Sequence, residues 1–77
     1  MPMTLKAART NVGLTQAQAA KEIGVTVDTL SNYERGKSYP DVPIIKRIEE
    51  VYKTSYSELV FLPKNYGLTV NKGEMVN

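Results

Sequence analysis

The sequence predicts an all-α domain of five short helices, the second and third joined by a three-residue turn. Three observations lead there. Apolar residues recur at helical spacing, a Thr, Asp or Ser able to cap a helix precedes each periodic stretch, and glycine or proline closes most of them. The chain has 77 residues, enough for one hydrophobic core. Residues 1–63 read as the folded domain and 64–77 as a tail, weakly ordered or forming a short arm, in which Tyr66, Leu68 and Val70 alternate.

The first helix is expected over Thr4–Val12, capped by Thr4, with Leu5, Ala8 and Val12 on one face and Gly13 ending it. Thr15 opens the second: its hydroxyl accepts from the backbone three residues on while Gln18 reaches back, a capping box. Gln16–Ile23 is rich in alanine, and Gly24 stops it. Thr26 caps a third helix over Val27–Arg35, with Leu30 and Tyr33 inward and Gly36 at its end. Asp41 caps a fourth, where Pro43 falls in the first turn and lacks only an N–H that has no helical partner. Val42, Ile45, Ile48, Val51 and Tyr52 are expected to form its apolar face. Ser55 and Glu58 suggest a second capping box before a fifth helix through Leu59 and Phe61, ended by Pro63.

Gln16–Arg35 carries the functional argument. Helices crossing steeply need a small residue at the closest approach, and Ala20 supplies it. Gly24 adopts positive φ without strain, which permits so short a turn. Ile23, Val25 and Leu30 bury the inner faces and leave the polar face of the third helix outward.

Gly13-Leu14-Thr15-Gln16, Ala20, Ile23-Gly24-Val25 and Tyr33-Glu34-Arg35-Gly36-Lys37 together resemble the phage repressor/Cro family of helix-turn-helix domains, also called the Xre family. The resemblance runs from about Leu5 to Leu62 and implies a lambda-repressor-like DNA-binding fold. It implies that the third helix enters the major groove, with Val27, Asp28, Thr29 and Asn32 near base edges. Asn32 has the groups to pair with adenine, and Val27 to meet a thymine methyl. Gln16, Arg35 and Lys37 would meet phosphates, and Arg9 and Glu34 would form an ion pair bracing the first helix against the third. Asp28 has two readings. An acid in a first helical turn complements the dipole, and a carboxylate in the groove accepts from a cytosine amino group.

The net charge is +2, from 10 basic and 8 acidic residues. Before Pro40 there are five basic residues (Lys6, Arg9, Lys21, Arg35, Lys37) against three acidic (Glu22, Asp28, Glu34); from Pro40 onward the two are balanced at five each. With so few cations a lone domain should hold non-specific DNA weakly, which points to a homodimer on an inverted repeat. Members of the family often dimerise through the last helix and the segment after it, so Val60, Phe61, Tyr66 and Leu68 are the candidate dimer surface.

The expected role is that of a phage or prophage repressor or Cro-like regulator in the bacterial cytoplasm, with double-stranded DNA as partner. No cofactor, metal, small-molecule ligand or membrane partner is expected. The sequence contains neither Cys nor His, which removes disulfides, thiolate zinc sites and His- or Cys-based catalysis. Ser31, Ser38 and Ser55 show no paired catalytic pattern. The alternative is a protein-interaction module on the same fold, such as an antitoxin or bridging factor.

Overall fold

A computed structural model describes residues 2–61 of the chain. Its elements are β1 (Met3–Thr4), α1 (Leu5–Asn11), α2 (Gln16–Ile23), α3 (Val27–Arg35), α4 (Val42–Tyr52), a 3-10 turn (Tyr56–Glu58) and β2 (Leu59–Val60). The expected tail, including Tyr66 and Leu68, lies outside the described residues.

Side chains start all four α-helices. The Thr4, Thr15 and Thr26 hydroxyls each accept from a backbone N–H three residues on, at 3.1 Å, and the Asp41 carboxylate accepts from the Ile44 N–H at 3.3 Å. The Gln18 side chain in turn accepts from the Thr15 N–H at 2.9 Å, which completes the capping box. Each cap satisfies an N–H that the helix cannot, worth about 1 kcal/mol.

The core sits where α2, α3 and α4 meet beneath α1. Ala19, Ala20 and Ile23 from α2 are buried against Leu30 of α3 and Ile48 and Tyr52 of α4, with Leu5 and Ala8 of α1 above them. The methyl side chains of Ala19 and Ala20 allow the α3 and α4 backbones to approach closely. Gly24 then turns the chain at φ 93°, and the Gly24 and Val25 N–H groups both donate to the Ala20 carbonyl at 2.8 and 3.0 Å. These bonds close α2 and aim α3 across it.

Two expectations need correction. Val42 is not on the buried face of α4: it is 64 % exposed, while Ile44 packs against the core. Ile44, Ile48 and Tyr52 recur every four residues and form the inward stripe, whereas Val42, six residues before Ile48, lies on a different side of the helix. Ile45 and Val51 are half-buried at the edges of that stripe.

The fifth α-helix is also replaced, so the described residues hold four. Ser55 makes no capping bond; its hydroxyl pairs with that of Ser57 at 2.9 Å, and the Tyr56 N–H donates to the Glu49 carboxylate at 2.6 Å. Leu59–Val60 instead pairs parallel with Met3–Thr4, in the register Met3 to Leu59 and Thr4 to Val60. A segment confined between Thr54 and Pro63 is too short to recover the cost of nucleating a helix, while Leu59 and Val60 suit a strand. Strand alternation also decides which side chain faces out: Leu59 is buried, Val60 is 44 % exposed and Phe61 packs against the core.

Tyr52 is the one buried side chain whose polar atom, the hydroxyl, has no hydrogen-bond partner among the described residues. Burial, reinforced by the negative charge of Glu34 and opposed by Arg9, pushes its ionisation from about 10 up to about 12. The raised value means that the native state keeps its proton where the unfolded chain has lost it. This contribution to stability is therefore complete below pH 10 and is lost as the pH rises towards 12. Tyr52→Phe is expected to change stability near neutrality by less than about 1 kcal/mol and to flatten the alkaline loss. Urea midpoints at pH 7 and across pH 10–12 check both; a large destabilisation at pH 7 would mean that the hydroxyl is paired.

Candidate nucleic-acid interface

The outward side of α3 is built by subtraction. Leu30 is fully buried and Tyr33 packs against the core, which fixes the helix rotation and leaves Asp28, Ser31, Asn32 and Arg35 at three- and four-residue spacing along the opposite side. Asp28 and Arg35 are exposed; Ser31 and Asn32 are half-buried at the rim. Asp28 stands in the first turn of α3, where its charge complements the positive helix end.

The other two residues expected at base edges are placed differently. Val27 begins the helix, is 43 % exposed and stands four residues before Ser31, at the apolar edge of the stripe. Thr29 is half-buried, and its hydroxyl accepts from the Thr26 hydroxyl at 2.8 Å, so it belongs to the helix cap. Asn32 is held from its own helix: Arg35 Nη2 donates to Asn32 Oδ1 at 2.9 Å. Lys37 follows the left-handed Gly36, with its side chain exposed and its N–H donating to the Asn32 carbonyl at 2.9 Å.

A single carboxylate joins three helices behind this face. Arg9 of α1 donates through Nε to Glu34 Oε2 at 2.7 Å and through Nη2 to Oε1 at 3.2 Å, while its Nη1 reaches the Leu14 carbonyl at 3.0 Å. Gln16, the first residue of α2, donates Nε2 to Glu34 Oε1 at 3.0 Å. The Arg9 and Glu34 side chains are only 11 % and 5 % exposed. The hydrogen bond to Glu34 raises the Arg9 ionisation further above its ordinary range, against the opposing effect of burial.

The junction forms the floor of an open groove between α1, α2 and α3, lined also by Lys6, Thr15, Ser31 and Arg35. Gln16 therefore lies in the groove with one amide hydrogen already engaged. The Gln16 and Ala17 backbone N–H groups, in the first turn of α2, have no hydrogen-bond partner among the described residues. Lys6 and Ser31 are contributors to this surface that sequence reasoning missed. Both had a spacing signal: Lys6 is three residues before Arg9, and Ser31 is four before Arg35.

Val60 and Phe61, expected at a dimer surface, lie in β2 and just beyond it. Phe61 stacks edge-on against Tyr39 at a centroid distance of 6.5 Å and tilts over Tyr56 at 5.8 Å. No helix among the described residues is long and apolar enough to cross a membrane.

A helix with one side packed and its polar side outward, held across a second helix by a glycine turn, defines a helix-turn-helix domain. Residues 5–59 match the helix-turn-helix family, and the chain belongs to it, as a domain of the Xre type. It is 36 % identical over 56 residues to the HTH-type transcriptional regulator ImmR of Bacillus subtilis (strain 168). That match covers 73 % of this chain and 44 % of the relative, so the chain spans less than half of that regulator's length. No solved structure matches the chain.

The Glu34 junction makes a stability prediction. Glu34→Ala leaves the largely buried Arg9 guanidinium without its counter-charge and is expected to cost about 3 kcal/mol. Arg9→Met combined with Glu34→Leu should recover most of that loss, because no uncompensated charge then remains. Urea unfolding of the single and double variants checks it; equal losses in both would mean that the charges contribute net stability.

Proposed function

We propose that the chain is a sequence-specific double-stranded DNA-binding transcriptional regulator, working without catalysis as a dimer on an inverted-repeat operator in the manner of a phage or prophage repressor or Cro protein. The observation that carries the reading is the outward stripe of α3, where Asp28, Asn32 and Arg35 offer an acceptor, an amide and a cation on a rigidly seated helix. These are the groups that read base edges in a major groove. The resemblance to a protein named as a transcriptional regulator supports the same direction.

In this reading α3 enters the major groove, and phosphates on one flank meet the free N–H groups of α2 and the side chains of Gln16 and Lys6. Lys37 meets the backbone on the other flank. The modest excess of positive charge supports the dimer, since two recognition helices about 34 Å apart read twice the sequence of one. Exposed Val60, and the cluster of Phe61 with the exposed Tyr39 and Tyr56 rings, are the surfaces proposed for the second copy. The same aromatic group favours the second reading, an interaction module such as an antitoxin or bridging factor, in which a different protein occupies it.

Selection of bound sequences from a random duplex pool tests the function. The full chain is expected to enrich an inverted repeat, and Asn32→Ala to relax one position in each half-site. Enrichment of a single half-site would remove the dimer, and none at low salt with the protein folded would remove the DNA function. On the selected duplex, Lys37→Ala should weaken binding to all sequences alike and reduce the slope of log affinity against log salt by about 1 per subunit, about 2 for the dimer. An unchanged slope would take Lys37 off the backbone.

A further inference from the structure

We propose that Arg35 decides which base Asn32 reads, turning it from adenine to guanine. This rests on the DNA-binding reading above and specifies the chemistry of its recognition face. Arg35 and Asn32 are three residues apart on the outward side of α3, and Arg35 Nη2 lies 2.9 Å from Asn32 Oδ1. Amide oxygen and nitrogen are easily interchanged in an asparagine, but here the partner fixes them. A guanidinium has donors only, so the atom that it meets is the oxygen.

That orientation changes what Asn32 offers to a groove. Pairing with adenine needs Oδ1 to accept from the N6 amino group while Nδ2 donates to N7. With a guanidinium already bound to Oδ1, the N6 amino hydrogens would approach an oxygen whose electron density is directed to a cation, with that cation alongside. Guanine presents two acceptors, N7 and O6. The pair offers two kinds of donor: Asn32 Nδ2–H, polarised by the bond at its own oxygen, and the remaining guanidinium N–H groups of exposed Arg35. No other bond to those guanidinium groups is seen among the described residues. Asn32 and Arg35 therefore act as one donor unit matched to guanine. Arg35 is a positioning and specificity residue in addition to its charge.

Thr26 and Leu30 show why the pair is steady enough to matter. The first caps α3 and the second anchors it in the core, so the Asn32 and Arg35 backbones keep their three-residue separation whatever the duplex does.

Selection from the random duplex pool with the full chain, Asn32→Ala and Arg35→Ala side by side tests the assignment, since Arg35 is exposed and its loss leaves the core untouched. The wild-type position that Asn32→Ala relaxes is expected to be guanine. Arg35→Ala should convert that same position to adenine, a reversal of about tenfold or more in relative affinity for the two bases. Adenine at that position in the wild type would overturn the inference while leaving sequence-specific binding in place. So would an Arg35→Ala variant that binds every sequence more weakly with guanine still preferred, the behaviour of a phosphate contact. Absence of any enrichment by folded wild-type protein would overturn the DNA reading itself, and this inference with it.

Discussion

The Glu34 carboxylate is the constraint on which the rest of the structure depends. It lies near the end of α3, accepts two bonds from Arg9 of α1 and one from Gln16 of α2, and is almost excluded from solvent. A charge so placed is costly unless its partners are held at bonding distance. Its satisfaction therefore requires α1, α2 and the end of α3 to be in register together. Arg9 extends the demand by binding the Leu14 carbonyl, which sets the loop between α1 and α2. The apolar contacts around Ala19 and Ala20 are non-directional, whereas these bonds hold only at one distance and angle.

The division of α3 follows from that constraint. Leu30 is held by the core and Glu34 by the junction, at two separate points along the inward side. The helix is pinned at both and cannot rotate, so Asp28, Asn32 and Arg35 remain outward without any contact of their own to keep them there. That outward side is free of folding duties. Substitution on it alters what the helix meets and leaves what holds the helix alone.

The helix starts and the turn are legible in the sequence because they depend on local chemistry. A threonine hydroxyl three residues from the N–H it caps, or a glycine at positive φ, is fixed by near neighbours, and Thr4, Thr15, Thr26, Asp41 and Gly24 all follow that rule. The features that are not legible depend on distant partners. Ser55 has the spacing of a cap, yet Met3–Thr4 lies beside Leu59–Val60, and a parallel strand pair between the two ends of the described chain leaves no local mark. Spacing misplaces Val42 because it defines a stripe but not which of two overlapping stripes faces inward; Ile44 decides it only once α2 is in place. At the candidate site, the Arg9–Glu34 pair is legible through family resemblance, whereas the bonds from Gln16 to Glu34 and from Arg35 to Asn32 need side-chain geometry.

Those last two bonds have opposite consequences for Gln16 and Asn32, although both are amides on the same surface. Gln16 commits one of its two amide hydrogens to a carboxylate and keeps the other, together with its oxygen, beside the free N–H groups of α2. Asn32 commits its oxygen to a guanidinium and keeps its donors. An amide has a donor end and an acceptor end, and the neighbour bound to one end fixes how the whole group is turned. Those neighbours, Glu34 and Arg35, are adjacent in sequence. One is turned inward to the junction and the other outward to the groove, so a single dipeptide at the end of α3 orients both amides.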